Sequence, residues 1–359
     1  MKSLPVPRRR LPAAPASATD AALDRRLLGE FLACHATPGD EEEVVQLLLR
    51  AWRSQGLAVR RYGALAAVAA PPPDRRRRPV LLVTAHMDSP GFAVDRVRLH
   101  ARRGADSARC AAGLTRLGAA SFAGFSADGV LKTREGRFAV TVRRTGSRDN
   151  GDFRCTWPAG AFGQDGHPPG LSHGDRVCFA SRPRFAAHRV CAPFLDNRLG
   201  CWLLAELPRL ARGWRSRFRF VYGATACEEM GGLGAAVLAR EVRADAVIVL
   251  DATYHAPAQG VRLGAGPVLT LSDASVLLSP ALRDRLAALF AGAGVPLQTE
   301  VYNYSGTDAK AFPLQGRFAP VLALLLATTG NHTPCEAADL RDADSLTRGI
   351  RALAETWAV

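Results

Sequence analysis

Five clusters of potential metal ligands and proton carriers are spaced along the chain. The first is His86-Met87-Asp88, behind the apolar run Val80 to Ala85. In an extended segment residues i and i+2 point the same way, so this pair could set an imidazole on a metal with a carboxylate beside it. The second is Leu195-Asp196-Asn197-Arg198-Leu199-Gly200, at the start of a helical pattern. The third runs from Thr225 to Gly232 and holds the adjacent pair Glu228 and Glu229 before a glycine turn. The fourth is Asp251, closing Val247 to Leu250, and the fifth is Asn331-His332-Thr333-Pro334. Singly, each has a plain structural alternative: a core histidine, Asp196 as a helix N-cap, Arg198 as a surface charge, a solvated acidic loop. Together they hold one His, one Asp, a Glu pair, one Asp and one His, which is the inventory of a two-metal hydrolytic site. Imidazole and carboxylate ligands suit zinc, cobalt or manganese, and an aspartate can bridge two ions. Two divalent ions polarise a carbonyl and acidify a shared water, and a leftover carboxylate takes the proton.

Such groups need rigid elements behind them. Short apolar runs of the buried-strand type occur at Val80 to Ala85, Phe218 to Ala226, Ala246 to Leu250, Pro267 to Leu271 and Val321 to Ala327. Helical patterns follow at Leu199 to Leu207, Gly234 to Glu241, Leu282 to Phe290 and Asp344 to Trp357. Apolar strands alternating with amphipathic helices predict an α/β fold with a sheet covered on both faces. The carboxylates and histidines stand at the carboxyl ends of these strands, where open α/β sheets place their active sites. Upstream, residues 1–19 read as a disordered tail, a helix runs from about Ala21 to Ala33, and a second starts at Asp40. Asp40 is a good N-cap, and Glu43 three residues later completes a capping box. Residues 57–70 read as a strand pair around Gly63, and Pro71 to Arg78 as a loop. From about Val94 to Ala187 the chain is rich in Gly, Arg and Ser and shows no long helix. This divides the chain into an α/β domain of residues 1–93 and 188–359 and a small inserted β-rich domain of residues 94–187.

The chain has 359 residues, 48% of them hydrophobic and 22% charged, within the range of a globular protein and outside that of a disordered or collagen-like one. No apolar run reaches the roughly 18 residues that span a bilayer, which predicts no membrane association. The net charge of +14 raises a nucleic-acid partner as an alternative. The arginines are scattered, the clusters Arg8 to Arg10 and Arg75 to Arg78 sit beside prolines, and no nucleic acid is expected. Eight cysteines at irregular spacing, without a CxxC, read as free thiols in a reducing, cytoplasmic setting. The segment Leu11 to Asp20 is too short and proline-broken for a secretory h-region.

The ordered set of motifs resembles the tetrahedral-type dinuclear aminopeptidases, a family that includes glutamyl and deblocking aminopeptidases. The matching residues are His86-Met87-Asp88, Asp196-Asn197-Arg198-Leu199-Gly200, Glu228-Glu229-Met230-Gly231 and Asp251. They continue with Gly264-Ala265-Gly266-Pro267, Gly306-Thr307-Asp308-Ala309 and His332-Thr333-Pro334-Cys335-Glu336. Gly174-Asp175-Arg176-Val177 is similar to a strand late in that family's inserted domain. The resemblance implies a zinc-peptidase-like mixed sheet flanked by helices and two divalent ions per chain, zinc or cobalt ahead of manganese. It implies that His86, Asp196 and Asp251 hold one ion and that Asp196, Glu229 and His332 hold the other, with Asp196 as the bridge. Glu228 would be the general base and Asp88 would orient His86. It further implies peptide substrates cut from a free N-terminus and a homo-oligomer built from dimers, expected as a dodecamer. A related dinuclear amidohydrolase, acting on acylated amino acids or small amides, would use the same metal chemistry. The sequence departs from the family at Cys227, often Gln there, at Thr329-Gly330-Asn331 and at Ser305. None of these positions supplies a metal ligand.

Overall fold

The computed structural model describes residues 22–72, 77–98, 109–145, 152–158, 160–162, 166–302 and 304–357. The expected tail, the cluster Arg8 to Arg10, and Arg75 and Arg76 of the cluster Arg75 to Arg78 lie outside the described residues. The helices α1 (Arg25–Ala33) and α2 (Glu42–Ser54) precede β1 (Ala58–Tyr62), β2 (Ala66–Ala70) and β3 (Val80–His86). The chain then builds β4 (Gly91–Arg98), β5 (Arg109–Leu117), β6 (Ser126–Thr133), β7 (Gly136–Thr145), β8 (Asp152–Pro158) and β9 (Arg176–Phe179). It returns through β10 (Arg184–Ala186) and β11 (Arg189–Ala192) to α3 (Leu195–Ala211), β12 (Arg219–Thr225), α4 (Leu233–Glu241) and β13 (Ala246–Tyr254). The remainder is β14 (Val268–Ser272), α5 (Pro280–Gly292), β15 (Gln298–Val301), α6 (Ala311–Leu314), β16 (Val321–Thr329), β17 (Glu336–Asp339) and α7 (Leu340–Thr356).

Eleven strands form one mixed sheet in the order β1-β2-β12-β3-β13-β16-β17-β11-β10, with β14 and β15 branching from β16. Its centre, β12-β3-β13-β16, is parallel. There the strict period of two sorts the side chains. Leu81, Val83, Ile248, Leu250, Leu322 and Leu324 pack on the face that carries α1, α2, α3 and α7. Leu82, Val247, Val249, Ala323 and Leu325 pack with Leu238 and Phe312, from α4 and α6, on the other. Both faces are therefore covered, which is why these strands read as continuous apolar runs. Helix α2 buries Val44, Val45, Leu48, Leu49 and Trp52. The Trp52 indole N–H donates to the Leu204 carbonyl at 2.9 Å, so the polar end of this large ring is satisfied inside the core. No helix among the described residues is long and apolar enough to cross a membrane.

The capping box does not form. Helix α2 begins at Glu42, after Glu41, and no side chain caps it. Asp40 is drawn instead to Lys132 on β6, at 2.7 Å, and to His35, at 3.4 Å. Glu43 accepts the His35 backbone N–H at 2.7 Å. Lys132, from a distant strand, and His35, from the loop before the helix, take these carboxylates from the cap.

The β-rich stretch closes into a six-stranded barrel, β4-β5-β8-β7-β6-β9, around Phe92, Phe122, Phe153 and Phe179. The loop after β5 reaches back to the sheet: Ser121 N–H donates to the His332 carbonyl at 2.9 Å, and Gly118 lies against Glu229 and Met230.

The turn between β12 and α4 tolerates no bulk. A Cβ on Gly234 would stand 2.3 Å from both the Ala226 nitrogen and the Leu65 carbonyl oxygen, which hydrogen-bond each other at 2.9 Å. Gly234→Ala is therefore expected to destabilise the fold by about 1–3 kcal/mol, the range for overpacking. A denaturant midpoint equal to that of the parent chain would contradict this.

Candidate metal centre

The five sequence clusters converge at the carboxyl ends of the central strands. His86 is the last residue of β3 and Thr225, its register partner, the last of β12. Asp251 does not end its strand as the sequence predicts: β13 runs on to Tyr254 because it keeps pairing with β16. The ladder to β3 stops at Val249, however, which frees Asp251 on the side that faces His86. Asp196 and Asn197 begin α3 with non-helical backbone angles. The Asn197 amide donates to the Leu250 carbonyl at 2.8 Å, tying that start to β13. Arg198 is fully buried, not a surface charge. Its guanidinium donates to the carbonyls of Met87 and Ala36 and to Ser89 Oγ, joining two loops to α3 under the site.

His86 Nδ1 lies 3.1 Å from the Asp88 carbonyl oxygen. A carbonyl only accepts, so Nδ1 carries the proton and Nε2 turns inward. Nε2 stands 3.2 Å from Asp251 Oδ1 and 3.3 Å from Asp196 Oδ1. The other Asp196 oxygen repeats the pattern. His332 Nε2 is 3.2 Å from Asp196 Oδ2 and 3.3 Å from Glu229 Oε1. Two groups of three donor atoms thus share one carboxylate, one oxygen to each. Tetrahedral ligands at about 2.1 Å from an ion stand about 3.4 Å from one another, which the four histidine–carboxylate distances match, and within each triad all the donor atoms lie within 4.8 Å of one another. The Asp196 Oδ1 atom is buried without a hydrogen-bond partner among the described residues, as a cation ligand is before its ion arrives. The donor set, one nitrogen and two carboxylate oxygens per group and no thiolate, fits zinc, cobalt or manganese with a coordination position left over.

Electrostatics fit the same reading. Burial raises the Glu229 carboxyl well above its usual range, and the neighbouring Asp196, Glu228 and Asp88 add to the rise. Glu228 is pushed up in the same way, by burial first and then by Asp251, Asp308 and Asp88, against the pull of His86. Burial also works against charge on Asp196, but the His332 and His86 rings outweigh it and hold that carboxyl well below its normal value. Burial lifts Asp308, behind the Glu pair, to about 7. So many carboxylates in one buried place repel each other, and divalent cations relieve the repulsion.

The Glu228-Glu229 turn is held from behind by two acids. The Asp88 carboxylate accepts the Glu228 and Glu229 backbone N–H groups at 3.0 and 3.1 Å, and its Oδ1 lies 3.5 Å from His86 Nδ1. Glu41, absent from the sequence reading, accepts the Cys227 N–H at 3.1 Å, where the backbone is left-handed. Glu336 was visible only as the last residue of a motif. It accepts the backbone N–H groups of Asp196 and His332, at 3.0 and 2.8 Å, and so fixes two of the donors relative to each other. The donors open into a cavity of about 290 Å³, lined further by Tyr254, Asp273, Glu300 and Lys310. Glu228 lines it as well, its carboxylate free of side-chain partners among the described residues.

Known proteins are similar to this chain in fold and in part of the sequence. A TET aminopeptidase from a marine-sediment Thaumarchaeota archaeon superposes with a TM-score of 0.82 at 19% identity, over 93% of this chain and 96% of that one. The TET1 peptidase of Pyrococcus horikoshii, which assembles into a tetrahedron or a large octahedral shell, gives 0.76 at 20% identity over 92% and 98%. In sequence, the putative aminopeptidase FrvX of Escherichia coli K12 is 31% identical over 176 residues, 47% of this chain and 49% of the relative. The chain spans about half the length of such curated relatives. The family model described as M42 glutamyl aminopeptidase matches residues 163–348, just over half of the sequence and four of the five clusters, and the chain belongs to that family.

Proposed function

We propose that the chain is a metal-dependent aminopeptidase that hydrolyses N-terminal residues from peptides. The observation that carries this reading is the Asp196 carboxylate, whose two oxygens belong one to each of two nitrogen-and-oxygen triads that line a cavity with Glu228. His86, Asp196 and Asp251 would hold one divalent ion and Asp196, Glu229 and His332 the other, zinc or cobalt before manganese. When bound, the two ions supply Lewis acidity, polarising the scissile carbonyl and making a water acidic enough to attack. Glu228 accepts the proton of that water at its carboxylate and returns it to the departing amine. Asp88 and Glu41 keep the glutamate turn aimed into the cavity through its backbone N–H groups. The carboxylates that line the cavity favour a substrate with a free ammonium group over a blocked one. Residues 94–187 are a separate unit of the protein in this reading, with residues 1–93 and 188–359 as its catalytic domain. The assembly is a homo-oligomer built from dimers, with a dodecamer as its expected size, and the eight free thiols suit the cytoplasm.

The deciding experiment offers the zinc-, cobalt- or manganese-loaded protein a panel of aminoacyl amides, free and N-acetylated. Cleavage of the free series is expected. Faster turnover of the acetylated series would replace this reading with an amidohydrolase acting on acylated amino acids. Light scattering that gives a monomer at every concentration would remove the assembly from the proposal.

The supporting acids have their own signature. Asp88→Asn swaps one acceptor oxygen for an N–H donor facing the turn. Metal affinity, read by competition with a chelator, is expected to fall about 10–100-fold, as for other residues that orient ligands. Unchanged affinity would mean that the turn holds itself.

A further inference from the structure

Behind the His332 loop lies a pair of thiols that the peptidase chemistry does not use. Cys191 is on β11 and Cys335 immediately precedes β17, and the two strands pair antiparallel with Cys191 opposite Ala337 and Ala192 opposite Glu336. This register sets the two cysteines diagonally across the ladder, where their Sγ atoms stand 2.7 Å apart. A disulfide holds its sulfurs about 2.05 Å apart, so bonding requires only a small further approach. Among the described residues no other two thiols hydrogen-bond each other. Cys335 is exposed and Cys191 half-buried, so small oxidants reach the pair, whereas Cys110, Cys155, Cys178 and Cys201 are buried. The Arg184 guanidinium, on β10, lies 3.6 Å from Cys191 Sγ, where it offsets negative charge on an attacking sulfur.

We propose that Cys191 and Cys335 are a reversible disulfide site, closed by a hydroperoxide and opened by a thiol reductant. The Cys191 sulfur attacks the O–O bond of hydrogen peroxide. That bond breaks, one oxygen stays on Cys191 as a sulfenic acid, and the other leaves as water with the thiol proton. The Cys335 sulfur then attacks Cys191 Sγ, the S–O bond breaks, and the oxygen departs as a second water with the Cys335 proton. In sum two thiols lose two electrons and two protons, and one peroxide becomes two waters. A reductant with two thiols runs the exchange backwards and leaves as its own disulfide. The bond would tie β11 to the short segment between His332 and Glu336. Oxidant chemistry at this position does not depend on the peptidase reading.

The test treats the full-length, metal-loaded protein with hydrogen peroxide, blocks remaining thiols, and maps the digest by mass spectrometry. A linked Cys191–Cys335 peptide is expected. Titratable thiols should fall by two, the intact mass by about 2 Da, and dithiothreitol should restore both. Cys335→Ser should stop the link and leave Cys191 trappable by a sulfenic-acid-specific dione. Peroxide that drives Cys335 to the sulfinic acid without a link would overturn the proposal. So would a link formed only between different chains, seen by mixing isotopically heavy and light protein.

Discussion

Asp196→Ala is expected to empty both cation positions together. Each of the other proposed ligands serves one triad, whereas Asp196 gives one oxygen to each. Without it, each group keeps one imidazole and one carboxylate, a donor pair too sparse for tight zinc or cobalt binding. The backbone around the change should survive. The Asp196 N–H still donates to Glu336, and its carbonyl still accepts from Ser89 Oγ at 2.7 Å, because neither bond uses the lost side chain. Elemental analysis should therefore give metal contents near zero in a folded protein, and peptide hydrolysis should fall to background. Full occupancy in the alanine variant would sink the assignment of the bridge. Loss of one ion alone would place the second triad elsewhere.

Glu228→Gln separates proton transfer from metal binding. Glutamine keeps the size and the hydrogen-bonding reach of glutamate and cannot take a proton. Because Glu229, not Glu228, belongs to a donor triad, both ions should remain. A base removed from such a reaction costs about 10²–10⁴-fold in rate. Since the proton moves only during the chemical step, kcat and kcat/KM should fall together while KM changes little. Near-parental kcat in a metal-replete variant would refute the role. Loss of a metal would show that the two glutamates had been exchanged in their assignments.

The sheet, and the clusters of polar residues at its edge, are legible in the sequence for physical reasons. Strands covered on both faces are apolar at nearly every position, so Val80 to Ala85 and Val321 to Ala327 stand out as runs. Polar residues at their ends stand out against that background. Arg198 shows what one chain position cannot reveal, since an arginine is cheap to bury only when loops far apart in sequence supply its acceptors. The same holds for Asp40, whose partners His35 and Lys132 come from different parts of the chain and took it from the helix cap. Glu41 stands in no sequence motif, and Glu336 only closes one, because both act on backbone N–H groups, which leave no mark on residue type. Closure of residues 91–179 into a barrel depends on strand pairing between distant segments, and alternation alone does not specify it.

The two triads hang from supports of unequal stiffness. His86 and Asp251 sit in strands at the middle of the sheet. Glu229 and His332 sit on a single 3-10 turn and on a loop, both leaning on the barrel through Gly118 and Ser121. The pair of ions proposed here would therefore not leave at one rate. The strand-borne position would keep its ion through dilution and purification, and the loop-borne one would exchange with the surrounding solution. A preparation of this protein could then hold two different elements side by side, the inner one recording the cell that made it and the outer one the buffer it was last in.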